Sequence, residues 1–183
     1  ITGNRESHKL EEMFWGIEAQ WKGGPPQLIN ARGEKLAGSN FWKPLLAEGR
    51  CAIPADGFYE WKDGKPKQPY LYTRSGGEPW YFAGLFDRAS REQDAENACV
   101  IITVDPNELV EDVHDRMPAM LRRSEVDEWL GGDVDSALAA LKPFPSTEMS
   151  ALAIGRAIGN SKNEGPELIE PAAPEGPATA SLF

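Results

Sequence analysis

Four runs of apolar, β-branched and aromatic residues, 51–61, 69–74, 80–86 and 98–104, fill the middle of the chain, and turn-forming or charged residues separate them. Runs this short, bounded by Gly, Pro and Asp, predict strands, and Asp63-Gly64 and Gly76-Gly77 between them predict hairpins. Upstream, 9–17 reads as a further strand. The Gly23-Gly24-Pro25-Pro26 step forces a loop, because two glycines and two prolines sustain neither a helix nor a ladder. Ser39-Asn40 before 41–48 predicts a short capped helix closed by Gly49. Downstream, Ser124-Glu125-Val126-Asp127 reads as a capping box for a helix through Trp129 and Leu130, halted at Gly131-Gly132, and 135–141 reads as a second helix. Antiparallel strands followed by helices predict an α+β fold in a single domain over residues 1–170. Residues 171–183 are too poor in large apolar groups to fold and predict a disordered tail.

Against this apolar background three residues stand out: Asn30 in Ile29-Asn30-Ala31-Arg32, Glu60 in Phe58-Tyr59-Glu60-Trp61, and His114 in Val113-His114-Asp115-Arg116-Met117-Pro118. Imidazole titrates near neutrality, and Asp112 and Asp115 beside His114 would raise its pKa and fix its tautomer. Along a strand, Phe58 and Glu60 share one face while Tyr59 and Trp61 share the other. If Phe58 faces the core, Glu60 starts buried, and its carboxylate must find a partner or take up a proton more readily. Asn30 offers an amide that orients a carbonyl or hydroxyl, and Arg32 a planar fork suited to phosphate. Each residue alone has a plainer reading: a turn Asn beside a surface Arg, a cross-strand charge near Lys62 or Lys67, a structural loop His. Together they form a kit for acid/base chemistry.

Composition narrows the classes. A chain of 183 residues with 40% hydrophobic content suits one domain. No apolar run approaches the roughly 18 residues of a membrane span, and no segment resembles a signal peptide, so a cytoplasmic protein without membrane contact is expected. Cys51 and Cys99 have neither CxxC spacing nor companion histidines, so no metal is expected, and both lie in apolar runs that suit core cysteines. No phosphate loop or other cofactor motif occurs, which predicts no cofactor. The formal charge of −10 opposes nucleic-acid binding. Its distribution does not: residues 20–91 hold eleven basic and seven acidic side chains, a local balance of +4 that leaves −14 elsewhere. Trp21, Trp42, Trp61 and Trp80 share that window, and basic charge interleaved with aromatic rings is what a single-strand channel uses. The plainer reading is a set of core tryptophans and solvated lysines.

In order, the Asn30 motif with Glu34, Arg50-Cys51, 54–61, Phe82-Ala83-Gly84-Leu85, Thr103, the His114 motif and 165–169 resemble the successive motifs of the SRAP family, the SOS-response-associated peptidases. Trp15-Gly16-Ile17 and Trp21 resemble its upstream Trp-Gly motif, so the likeness spans about residues 14–169. The resemblance implies a compact α+β fold around a curved, barrel-like antiparallel sheet, and covalent attachment to abasic sites in single-stranded DNA during the DNA-damage response. It implies Asn30, Glu60 and His114 as catalytic residues, and Arg32, Trp61 and Arg116 as DNA-binding residues. It also implies a nucleophile that these residues do not include: an amino-terminal Cys exposed by self-catalysed removal of Met, whose amine and thiol together capture the sugar aldehyde. Ile1 begins a segment already running into the fold, which predicts sequence upstream and an inactive chain without it. A monomer is expected. Two further readings stay open: a thiol peptidase using Cys51, His114 and Asn30, and a single-strand-binding module without chemistry.

Overall fold

In chain order the described residues form β1 (Thr2–Gly3), β2 (His8–Lys9), β3 (Phe14–Trp15), β4 (Asn30–Arg32), α1 (Trp42–Glu48), β5 (Arg50–Ala55), β6 (Gly57–Lys62), β7 (Gln68–Arg74), β8 (Trp80–Asp87), β9 (Ala98–Val104), β10 (Met117–Pro118), β11 (Met120–Leu121), α2 (Val126–Gly131), α3 (Val134–Ala140) and β12 (Met149–Ala153). This computed structural model describes residues 1–18, 27–88 and 97–172. The expected loop at 23–26, Trp21, and all of the expected tail beyond residue 172 lie outside the described residues.

The fold is α+β and mainly antiparallel. Among the described residues, β8 lies between β5 and β9 in a seven-stranded sheet; β10 and β11 extend it antiparallel, whereas β3 and β4 join β9 in parallel. A separate sheet of three strands runs β12-β7-β6, all antiparallel. Phe58 of β6 stacks on Tyr72 of β7 with ring centroids 4.9 Å apart and lies 5.9 Å from Trp80 of β8, which ties the small sheet to the large one through aromatic contacts. On the other side, α2 buries Val126, Trp129 and Leu130, the i, i+3, i+4 stripe of an amphipathic helix.

Several expectations change. The run 51–61 is two strands in two sheets, broken at Asp56, because a Cβ on Gly57 would sit 2.7 Å from the Tyr72 carbonyl and only glycine lets the backbones close at that corner. Gly76 and Gly77 take positive φ, as a turn requires, yet they link β7 to β8 in different sheets and form no hairpin. Asp63-Gly64 does lie in a hairpin loop, between β6 and β7. The strand expected over 9–17 is interrupted: only Phe14 and Trp15 pair with β9, and Ile17 makes a lone bridge to Leu28. At α1, the Ser39 hydroxyl accepts from the backbone N–H of Phe41 and Trp42 at 3.3 Å, the capping role read from sequence. At α2 the cap is not Ser124: Glu125 accepts the Arg122 backbone N–H at 2.7 Å. Trp42 and Trp80 are core residues, which removes them from any stacking surface.

Candidate active site

Alternation along two strands builds one wall of a cleft. In β4, Ala31 points into the core while Asn30 and Arg32, two residues apart, both face outward. In β6, Phe58 is buried and Glu60, on the same face, lies at the edge of the core with its side chain 23% exposed. The loop after β9 supplies the opposite wall. There the Asn107 amide, itself buried, accepts the backbone N–H of Leu109 and Val110 at 3.1 Å and donates to the Phe144 carbonyl at 2.6 Å. Val110 in turn accepts the His114 backbone N–H at 3.0 Å, so a buried amide two turns away holds His114 in place. Asn107 was not picked out by its chemistry in the sequence; its position ahead of Leu109 and Val110 is an Asx-turn signal.

These elements bring Asn30, Arg32, Glu60, Trp61, His114 and Arg116 to one cleft of about 630 Å³. His114 Nε2 lies 3.8 Å from Glu60 Oε2. Its Nδ1 lies 3.0 Å from the Arg116 backbone nitrogen, whose N–H it accepts when the ring proton is on Nε2, and 3.1 Å from the Arg116 carbonyl, to which it donates when protonated, while Nε2 faces Glu60. At 3.8 Å the two groups are too far apart for a direct hydrogen bond and close enough for a reacting group to pass a proton between them. Burial raises the Glu60 pKa above the ordinary carboxyl range; His114 pulls it down, and the Asp115 carboxylate pushes it up again. Sequence reasoning anticipated this desolvation from the shared face with Phe58.

The two arginines differ. The Arg32 side chain is exposed and makes no hydrogen bond or ion pair among the described residues, its charge reaching Glu34 only at longer range. Arg116 is not the open clamp expected: its guanidinium is bound by Asp105 at 2.7 Å, Glu34 at 2.9 Å and the Thr103 carbonyl at 2.6 Å, because Glu34 and Asp105 follow the paired β4 and β9 out to the same edge. With Arg116 paired to two carboxylates, the groove is less basic than two open arginines would make it. Arg50, counted in that balance, is buried in the core. Trp15 joins Trp61 at the cleft, 56% exposed, with its indole N–H donating to the Ile29 carbonyl at 2.8 Å. It was read only as part of a sequence motif, and its exposure on a two-residue strand carried no signal.

Cys51 does not line the cleft. It is 2% exposed in a cluster with Phe86 and Cys99, and burial pushes its thiol far from the thiolate. The thiol-peptidase reading fails on that ground, since β5 turns Cys51 into the sheet interior while Asn30 and His114 face the cleft. Among the described residues no group of three or more His, Cys, Asp and Glu is placed to hold a metal, and no helix is long and apolar enough to cross a membrane.

A sequence model of the SOS response associated peptidase (SRAP) family matches residues 1–161. The abasic site processing protein YedK of Escherichia coli (strain K12) is 36% identical over 177 residues, covering 93% of this chain and 79% of the relative. The abasic site processing protein YoqW of Bacillus subtilis (strain 168) is 37% identical over 180 residues, covering 93% and 80%. A solved structure of a protein from Bacteroides thetaiotaomicron superposes with a TM-score of 0.76 at 26% identity, over 87% of this chain and 75% of the other.

Proposed function

Because the chain belongs to the SOS response associated peptidase (SRAP) family, we propose that it processes abasic sites in single-stranded DNA by covalent capture, as part of the DNA-damage response in the cytoplasm. The reading is supported by relatives named for abasic site processing and, above all, by the facing pair of Glu60 and His114 in a cleft that also holds Asn30 and Arg32. The nucleophile is an amino-terminal cysteine upstream of Ile1, freed by self-catalysed hydrolysis of the Met peptide bond. Its α-amine condenses with the open-chain aldehyde of the abasic sugar and releases water to give a Schiff base. Its thiol then adds to the C=N carbon, the nitrogen takes the proton, and a thiazolidine ring closes.

The protein's own residues supply the proton traffic and the grip. Glu60, whose raised pKa lets it hold a proton nearer neutrality, and His114, with Nε2 turned toward it, move protons during sugar opening and loss of water. Asn30 orients the sugar oxygen or the amine. Arg32 contacts a flanking phosphate and Trp61 stacks a neighbouring base. The protein acts as a monomer without a cofactor.

The test is a denaturing gel of protein and a labelled oligonucleotide bearing one abasic site. Full-length, Met-processed protein gives a retarded adduct, and residues 1–183 alone give none. Equal crosslinking by residues 1–183 would place the nucleophile within them and overturn the amino-terminal chemistry.

A further inference from the structure

We propose that Asp105 is an anionic gate on Arg116 that competes with the DNA strand and weakens its binding. The inference rests on the single-strand reading above and adds a residue that sets affinity at that site. Arg116 is mostly buried, its side chain 14% exposed, and its three acceptors are unlike one another. The Thr103 carbonyl belongs to strand β9 and cannot leave without breaking the sheet; Glu34, half exposed, shares the same terminal nitrogen. The other terminal nitrogen is held by Asp105, whose carboxylate is 85% exposed. The outward arm of the arginine is thus covered by the acceptor most open to water.

A carboxylate and a phosphate offer an arginine the same chemistry, paired anionic oxygens for a planar fork. Asp105 therefore occupies the contact that a strand phosphate would make. The Asp105 side of this pair is open to water, which weakens the pair and lets a phosphate delivered into the cleft replace the carboxylate. Arg116 is also incompletely satisfied, since its buried Nε–H has no acceptor, and exchange at the outer arm leaves the inner contacts with Thr103 and Glu34 in place. Arg32, on the same cleft and with no carboxylate in direct contact among the described residues, stands ready for phosphate at all times. The two arginines then divide the work: Arg32 takes any strand, and Arg116 engages only a strand seated deeply enough to displace Asp105.

The test is fluorescence anisotropy with the full-length protein and a labelled single strand carrying a tetrahydrofuran abasic analogue, which binds without reacting. Asp105→Asn, at an exposed site, should tighten binding by about three- to tenfold at low salt, and steepen the salt dependence by about 0.7 in log–log slope for one added phosphate contact. In an Arg116→Gln background the same change should bring little gain, and Arg116→Lys, which keeps the charge but loses the fork, serves in the same cycle if Arg116→Gln unfolds. An unchanged or weaker Asp105→Asn, or an equal gain with and without Arg116, overturns the gate while the strand reading stands. Wild-type protein with no salt-sensitive strand binding overturns that reading and the gate together.

Discussion

Arg50 and Arg116 lie in the same apolar molecule and are both largely withdrawn from water, yet they end in opposite surroundings. Arg50 donates to the backbone carbonyls of Leu46, Trp129 and Gly132, and its guanidinium lies 6.0 Å from the Trp129 ring centroid. Each carbonyl belongs to a helix end or the residue after it, so one cation neutralises the negative poles of α1 and α2 and pins both against β5. Arg116 meets two carboxylates at a cleft mouth and keeps one buried N–H unsatisfied. Neutral carbonyls fixed in the backbone make a permanent lock. Exposed side-chain carboxylates make a contact that another anion is able to take over. Burial of an arginine thus says less about its role than the chemistry of what surrounds it.

The sharpest contrast between the two regions is kinetic. Glu60→Gln in the full-length protein should slow adduct formation by about 100- to 10,000-fold, the range for loss of a positioned acid or base, while a denaturant melt shows no loss of stability. A variant that crosslinks at the wild-type rate would move the proton chemistry away from Glu60. The core should respond in the reverse sense. Arg50→Ala leaves three carbonyls without their donor and should lower unfolding free energy by about 3 kcal/mol, read by urea titration, a loss large enough to reduce activity only through lost folded protein. Normal stability in that variant would break the comparison. At the cleft wall, Trp61→Ala should weaken single-strand binding by about tenfold, the effect of losing one stacked base, with little change in melting temperature.

The smallest effect is in pH. Glu60 has a folded pKa raised above its unfolded value, so the protonated form favours folding: the contribution is fully present below the unfolded value of 4.5 and is lost as pH rises through the folded value. Wild type measured against Glu60→Gln should therefore lose relative stability as pH climbs from about 4.5 toward neutrality. A constant difference across that window would mean that Glu60 carries no burial penalty.

The strand runs, the helix through Trp129 and Leu130 that stops at Gly131-Gly132, and the shared face of Phe58 and Glu60 were readable from sequence because their signals are local: alternation, starts and stops are set by neighbouring backbone geometry. The order of motifs and the identities of Asn30, Glu60 and His114 as polar residues in apolar surroundings were equally readable. Which strand met which was not. The break at Asp56-Gly57 and the crossover at Gly76-Gly77 follow from sheet packing between residues distant in sequence, and no turn signal distinguishes a hairpin from a change of sheet. The same holds for charge. Composition counted Arg32, Arg50 and Arg116 as alike, whereas only the folded chain sent one to solvent, one to carbonyls at helix ends and one to two carboxylates, because most of their partners lie 11 to 82 residues away in the chain.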